Sequence, residues 1–228
     1  MPGAIVPLYT DPGPEWKRLA QAIGASPDVP FAIIINPQSG VGIAHRDDYA
    51  AALPALAAAN VTLYGYVDTA YGKRDLAAVE AEMAQWRDWY GITNFFYDDV
   101  ATGELDYYRG LSERARAFGN AQTIANPGIA APAAFAEWFT TVVVYEDSGY
   151  PSLAAIASAA ERCGPEAIAI LVVASTYEDR ATDALIAHAH WVYIGETDTY
   201  ETLPRSFDAL LDRLHLAHAA DFDLHPGL

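Results

Sequence analysis

Eight short apolar runs, each followed by a stretch with helical features, alternate along the 228-residue chain. The runs begin near residues 4, 31, 61, 94, 121, 141, 167 and 191. Continuous apolar runs rich in β-branched residues are typical of parallel strands buried on both faces. Strict alternation of strand and helix therefore predicts an α/β fold, a single (β/α)8 TIM-type barrel over residues 1–228. A doubly wound open sheet is the alternative, but such sheets more commonly have about five or six strands.

Helical periodicity follows each predicted strand. The clearest case is the third, where apolar side chains recur at helical spacing from Leu76 to Trp86. Ser152 is a suitable N-cap and Gly164 a suitable residue to end the sixth helix. The predicted helices cover about residues 15–23, 48–59, 75–89, 107–118, 132–138, 152–164 and 180–188, and a last helix runs from after residue 206 to about 218.

The charge balance excludes some classes of partner. The chain has 13 Lys and Arg against 30 Asp and Glu, a formal net charge of −17. Nucleic acid and anionic lipid would be repelled, whereas a cationic ligand or polymer would be attracted. No apolar run reaches the ~18 residues that would span a bilayer, so membrane insertion is not expected. The first residues lack a basic n-region and an apolar h-region, which predicts a cytoplasmic protein as written, or a secreted one if a leader was removed.

The residues that bind metals and nucleotides in other proteins do not form a recognisable set. With one cysteine, the chain forms no internal disulfide and no thiolate cluster. The closely spaced histidines either lie on different helical faces or belong to the last helix, away from the strand ends. The segment 40–42 lacks the remaining residues of a phosphate-binding loop. We therefore predict no metal and no cofactor from Cys163, His188, His190, His215 and His218.

Carboxylates follow the fourth and sixth strands, at the end where barrel enzymes carry their catalytic groups. Asp98 and Asp99 end the fourth run, and Glu146 ends the sixth. Strands two apart contribute side chains to the same interior layer, and their backbones lie ~10 Å apart. Two inward carboxylates would then be separated by roughly 5–6 Å, close to the ~5–5.5 Å of retaining glycosidases. This predicts glycosidic bond cleavage.

Strand alternation limits which acids face the barrel axis. Asp98 and Asp99 point to opposite sides of a regular strand, so only one of them faces the axis. On the sixth strand, the same alternation puts Val142, Val144 and Glu146 on one side. Acids at strand ends also serve as helix caps and as acceptors within loops, which is the structural alternative.

Other polar and aromatic residues fall at the same strand ends. Aromatic faces stack on sugar rings, and amides or carboxylates bind hydroxyl or amino groups, so these residues are candidates for substrate binding. The 14 Tyr and 5 Trp of the chain suit carbohydrate binding, although such residues also serve in the core and at its rim. The candidates are Tyr9, Asn36, Asp68, Tyr71, Asn126 and Tyr145, and Asp68 also suits an acceptor of backbone N–H bonds.

Several motifs together resemble the spherulin-4-like proteins of spherulation-specific family 4. The resemblance runs in order from about residue 5 to residue 150, and Leu203-Pro204 fits as well. The motifs are Val6-Pro7-Leu8-Tyr9, Ile34-Ile35-Asn36-Pro37-Gln38-Ser39-Gly40, Gly65-Tyr66-Val67-Asp68-Thr69-Ala70-Tyr71-Gly72, Phe95-Phe96-Tyr97-Asp98-Asp99, Asn126-Pro127-Gly128 and Val144-Tyr145-Glu146-Asp147-Ser148.

The resemblance implies a barrel glycoside hydrolase. Characterised relatives are endo-acting α-1,4-galactosaminidases or N-acetylgalactosaminidases that cut galactosaminogalactan, a fungal exopolysaccharide. In the family an Asp-Glu pair ends the fourth strand and a Glu ends the sixth, so Asp98 and Glu146 match directly. Asp99 stands where the family has Glu, one methylene longer.

The expected reaction is retaining endo-hydrolysis of an aminosugar polysaccharide. By analogy with other barrels, Asp98 is the nucleophile and Glu146 the acid and base, with the reverse assignment left open. Asp99 and Asp68 are expected to hold the amine or acetamido group. The alternatives are a non-catalytic carbohydrate-binding barrel, a glycosidase of another aminosugar polymer, and a lyase or metal-dependent deacetylase.

Overall fold

The described part of the chain forms a closed barrel of eight parallel strands in sequence order. The computed structural model describes residues 1–119 and 122–224, with backbone only for 221–224. Each strand pairs with the next, and β1 pairs with β8 to close the barrel. The predicted fold is confirmed. The strands are β1 Gly3–Leu8, β2 Phe31–Ile35, β3 Val61–Asp68, β4 Asn94–Asp98, β5 Thr123–Ala125, β6 Thr141–Ser148, β7 Ile168–Val173 and β8 Trp191–Ile194.

An α-helix follows every strand in the described residues, as the periodicity predicts. None of them is long and apolar enough to cross a membrane. The helices are α1 Pro14–Ala25, α2 Asp47–Ala52, α3 Leu76–Tyr90, α4 Leu105–Arg116, α5 Ala134–Trp138, α6 Leu153–Cys163, α7 Asp179–Ile186 and α8 Phe207–Leu224.

Three elements show the clearest differences from the sequence-based expectation. Helix α2 ends at Ala52 and continues as the 3₁₀ turn Leu53–Leu56, because Pro54 has no N–H to extend the helix. Helix α8 continues past the predicted end at residue 218. Strand β5 is only three residues long, and Ala121, where its run was predicted to begin, lies outside the described residues.

Strand side chains alternate between the barrel interior and the layer that contacts the helices. The interior cluster draws on strands alone, whereas the outer cluster combines the other strand positions with helix residues. This alternation determines which strand-end residues face the mouth. The interior residues are Ile5, Ala32, Ile34, Tyr64, Tyr66, Phe96, Ile124, Val143, Ala169, Leu171, Trp191 and Tyr193.

Helix α3 packs unusually close to β3 because the strand carries a glycine at the contact. A Cβ on Gly65 would lie 2.5 Å from the indole of Trp86. Trp86 is fully buried, and its Nε1 donates a hydrogen bond of 3.0 Å to the carbonyl oxygen of Tyr66. This contact fixes the helix against β3 below the end of the strand that carries Asp68.

Candidate active site

The strands bring a ring of polar side chains to the carboxyl-terminal mouth of the barrel. Tyr66 and Phe96 are interior residues, so Asp68 and Asp98, two positions farther on, also face inward. The two aspartates are register partners on neighbouring strands. Asn126 follows the interior residue Ile124 by two positions, which places its amide beside Asp98.

Glu146 reaches the interior through a β-bulge. The pairing of β6 with β7 shifts between Val143 and Tyr145, so Val144 is the extra residue. Val142 and Val144 lie in the outer cluster, whereas Glu146 pairs with the interior residue Leu171. The prediction that Val142, Val144 and Glu146 share one side of the strand is therefore wrong, since the bulge reverses the alternation before Glu146.

One amide nitrogen joins the two predicted catalytic carboxylates. Asn126 Nδ2 donates to Asp98 Oδ1 at 2.8 Å and to Glu146 Oε2 at 2.5 Å. These two bond lengths set an upper limit of about 5.3 Å on the separation of the two oxygens. This limit is compatible with the close spacing of retaining glycosidases, ~5–5.5 Å, and excludes the ~6.5–9.5 Å of inverting ones.

A tyrosine hydroxyl binds the second oxygen of each carboxylate. Tyr66 donates to Asp98 Oδ2 at 2.6 Å, and Tyr200 donates to Glu146 Oε1. Burial raises the pKa of both phenols, and the neighbouring carboxylates raise it further. Both hydroxyls therefore stay protonated and act as donors at neutral pH.

Asp98 lies in an environment that opposes its charge. Burial raises the pKa of Asp98 to about 6, and the charge of Glu146 adds to the rise. Hydrogen bonds from Tyr66, from the Asp99 backbone and from Asn126 act in the opposite direction. At pH 7 the carboxylate is mostly ionised, and it takes up a proton within about one unit below that.

Four tyrosine rings form one wall of the mouth. Tyr9 contacts Tyr66 and Tyr200 edge-on, with ring centroids 5.5 and 5.1 Å away. Tyr200 also contacts Tyr193, at 5.4 Å. The backbone N–H of Tyr9 donates to the carbonyl oxygen of Tyr200, which ties the β8–α8 loop to the end of β1. Burial raises the pKa of Tyr9, followed in size by the effect of Asp98.

Asp99 leaves the strand in a left-handed conformation, with φ of 50°. The β3–α3 loop does so as well at Tyr71, where φ is 55°. Tyr71 N–H donates to the carbonyl oxygen of Asp99, and the fully buried Thr69 hydroxyl donates to the carbonyl oxygens of both Asp98 and Asp99. A hydrogen bond with the Asp99 side chain raises the pKa of Tyr71, whose ring is 54% exposed. The structure thus places Asp99 beside Tyr71.

The remaining predicted residues are held by local hydrogen bonds. Asn36 Oδ1 accepts from Gly40 N–H, and Asp68 Oδ1 accepts from Ala70 N–H at 2.6 Å. Tyr145 faces the outer layer, and its hydroxyl donates to the carbonyl oxygens of residues 148 and 149 in the following loop. Of the predicted substrate-binding residues, Tyr9, Asp68 and Asn126 lie around the carboxylate pair, and Tyr145 does not.

Sequence reasoning missed Tyr66 and Tyr200. Tyr66 precedes Asp68 by two positions, so strand alternation alone could have placed it on the inward face. Tyr200 lies in a loop after β8, and its contact with Glu146 crosses from one side of the mouth to another. The sequence signal for Tyr200 was only that it lies in a loop that follows the carboxyl-terminal end of a strand.

The mouth of the barrel carries oxygen atoms of the kind that bind metals, but the described residues are not arranged as a metal site. Within residues 1–119 and 122–220, no group of three or more His, Cys, Asp or Glu side chains is arranged to hold a metal ion. The arrangement that is present is two carboxylates with separate hydroxyl donors and one shared amide donor. Chemically, this arrangement suits nucleophilic attack combined with proton transfer.

Comparison with known proteins gives consistent matches over the barrel. The model of the family described as Spherulin4, spherulation-specific family 4, matches residues 3–214. Spherulin-4 from Physarum polycephalum is 32% identical over 150 residues, which are 64% of this chain and 45% of that protein. The matched region thus spans less than half the length of that relative.

Two solved structures share the fold. The crystal structure of Aspergillus clavatus Sph3 in complex with GalNAc has a TM-score of 0.77 at 24% identity, over 93% of this chain and 97% of that one. Active domain 2 of the thermostable chitinase from Pyrococcus furiosus has a TM-score of 0.61 at 10% identity, over 96% of each chain. At these identities the similarity establishes the barrel architecture.

Proposed function

The chain belongs to spherulation-specific family 4, and from this premise we propose that it is a retaining endo-glycoside hydrolase acting on a galactosamine-containing polysaccharide. The observation that carries the proposal is the pairing of Asp98 and Glu146 at the barrel mouth, at a separation suited to double displacement.

In the first step of the proposed reaction, Asp98 attacks the anomeric carbon of the bound sugar. A bond forms between a carboxylate oxygen of Asp98 and the anomeric carbon while the glycosidic bond breaks. Glu146 gives its proton to the departing oxygen. A nucleophile must be ionised, and the pKa of Asp98, about 6, satisfies this condition at neutral pH.

In the second step, water replaces the enzyme on the sugar. Glu146, now ionised, removes a proton from the water as its oxygen bonds to the anomeric carbon. The bond to Asp98 breaks, and the product leaves with the same anomeric configuration as the substrate. The two hydroxyl donors, Tyr66 and Tyr200, hold the carboxylates in place throughout.

Charge and relatives support the substrate class. The chain has a net charge of −17, and the mouth carries Asp68 and Asp99 next to Asp98, which favours a polymer with amino groups. The exposed ring of Tyr71 beside Asp99 is a suitable surface for a sugar face or an ammonium group. Sph3 from A. clavatus was crystallised in complex with GalNAc, an aminosugar.

A polymer panel tests the proposed activity. The purified protein is incubated with α-1,4-linked galactosamine, N-acetylgalactosamine and glucosamine polymers, and the products are read by mass spectrometry and by NMR of the newly formed anomer. We expect internal cleavage of galactosamine-containing chains with retained configuration. Asp98→Asn and Glu146→Gln should abolish turnover, whereas Asp147→Asn, an exposed neighbour on β6, should not.

The competing function is carbohydrate binding without hydrolysis, and Asp99 in place of the family's Glu is the feature that favours it. Binding of these polymers by isothermal calorimetry, with no reducing ends released, would support that alternative. Turnover by Asp98→Asn at the wild-type rate would refute the proposed catalytic scheme.

A further inference from the structure

We propose that Asn126 is the positioning residue that fixes the spacing of the two carboxylates, instead of a residue that binds the sugar. The proposal rests on the hydrolytic function proposed above and adds a role for a residue that strand-end position alone assigned to substrate binding. Its basis is that one nitrogen of Asn126 contacts both carboxylates.

The geometry gives each carboxylate one hydrogen of the same amide group. Nδ2 carries two hydrogens, and its two acceptors, Asp98 Oδ1 and Glu146 Oε2, come from strands on either side of β5. Two negative charges at this separation repel each other. A shared neutral donor offsets that repulsion on both sides and sets one distance between the acids. A cationic side chain would instead neutralise the pair, and a carboxylate would add a third negative charge.

Asn126 is itself held firmly in place. Its backbone N–H donates to Tyr97 at 2.8 Å, and its carbonyl oxygen accepts from Val100 at 3.3 Å. The residue is only 6% exposed. The following Pro127 restricts the backbone of Asn126 to extended conformations. A side chain so constrained can hold two acids at a fixed spacing, but it has little surface to offer a sugar.

The side-chain oxygen of Asn126 makes it possible to test the shared donor separately. Asn126 Oδ1 is buried and has no hydrogen-bond partner among the residues that the structure describes. Because leucine has nearly the same shape as asparagine, Asn126→Leu removes the shared donor without removing a hydrogen bond made by Oδ1. Asn126→Asp keeps the shape even more closely but replaces the donor by a third acid.

The experiment combines kinetics with a titration that does not need activity. For Asn126→Leu we expect kcat to fall on the order of 100-fold, because reacting groups misplaced by about 1 Å lose that much. We expect KM to stay within about threefold, since the sugar contacts remain, and the acid limb of the pH profile to move up by about one unit. In the free enzyme, ¹³C NMR of the Asp98 carboxyl should show the same upward shift, and Asn126→Asp should shift it further.

The matched control is Asn94→Leu, the same replacement at the opposite end of β4 from Asp98. Asn94 bonds to the carbonyl of Leu63 and to Gln122, away from the carboxylates, so this variant should leave the Asp98 titration unchanged. If kcat, the acid limb and the Asp98 titration of Asn126→Leu all match the wild type, the inference is overturned.

The same measurements separate this inference from the proposed function. A wild-type protein that hydrolyses no aminosugar polymer would contradict the proposed function, while the NMR titration would still report whether Asn126 holds the carboxylates. A raised KM with unchanged kcat in Asn126→Leu would assign Asn126 to sugar binding and overturn the positioning role. If Asn126→Leu does not fold, wild-type activity in Asn126→Asp would have the same overturning effect.

Discussion

Replacing Asp98 by Asn tests how strongly the fold opposes the charge of this carboxylate. The pKa of Asp98 rises from an ordinary value of 3.8 to about 6 in the folded protein, mainly through burial. A raised folded-state pKa means that the folded state binds the proton more tightly than the unfolded state does. Asp98 therefore costs no stability below pH 3.8, and its cost grows as the pH rises to about 6 and then levels off.

The size of the effect follows from the shift. A change of one pKa unit corresponds to about 1.4 kcal/mol, so the ionised carboxylate lowers the free energy of unfolding by about 3 kcal/mol above pH 6. Solvent near the mouth screens part of this charge, which makes the figure an upper value. Asn at this position does not titrate. The stability of Asp98→Asn relative to the wild type should accordingly increase by up to about 3 kcal/mol from pH 4 to pH 7.5.

The assay is urea unfolding at a series of pH values, followed by tryptophan fluorescence and circular dichroism. The quantity to interpret is the pH dependence of the stability difference between Asp98→Asn and the wild type. Tyr66 and Asn126 both donate to Asp98, and an amide at this position accepts from only one of them, so the variant also loses a hydrogen bond. The lost hydrogen bond changes the free energy of unfolding by the same amount at every pH. Asp147→Asn, which removes an exposed acid from the same end of β6, is measured alongside as the control. A stability difference between Asp98→Asn and the wild type that does not change with pH would show that burial does not oppose this charge, and the reasoning would fail.

Four further outcomes follow from the same contacts. Tyr200→Phe removes the hydroxyl that donates to Glu146 and should lower kcat about tenfold with little change in KM, because this hydrogen bond contributes roughly 1.4 kcal/mol. An unchanged kcat in steady-state kinetics would contradict this. Tyr71→Ala should raise KM for oligosaccharides about two- to tenfold while kcat is kept, and equal KM values would exclude a stacking role. Hydrolysis should fall about tenfold per pH unit below about 6 as Asp98 becomes protonated, and a rate that stays constant down to pH 4 would show that the pKa of Asp98 is not raised in the active enzyme. Gly65→Ala should destabilise the fold by about 1–3 kcal/mol in urea unfolding, because the added methyl would overlap a buried indole, and an unchanged midpoint would show that α3 can move away.

Local sequence patterns were sufficient for the architecture and for one side of the active site. Each strand is a continuous apolar run, and each helix has its own periodicity, so the order of elements can be predicted without long-range information. Asp98 follows Phe96 by two positions in a regular strand, so alternation puts both side chains on one face, and the structure shows that this face is the interior one. The same rule brings Asp68 next to it on β3.

Glu146, Tyr200 and the bridging role of Asn126 depended on tertiary structure. Regular alternation from the interior residue Val143 would have pointed Glu146 at the helices, and only the bulge opposite β7 turns it inward. A bulge results from pairing between strands distant in sequence, so the local pattern of β6 does not reveal it. Tyr200 meets its acceptor across 54 residues and Asn126 joins two other strands, because closing the barrel is what brings those chain segments together. The chain by itself thus determined which elements form and which residues lie at the mouth, whereas the closed sheet decided which of those side chains touch.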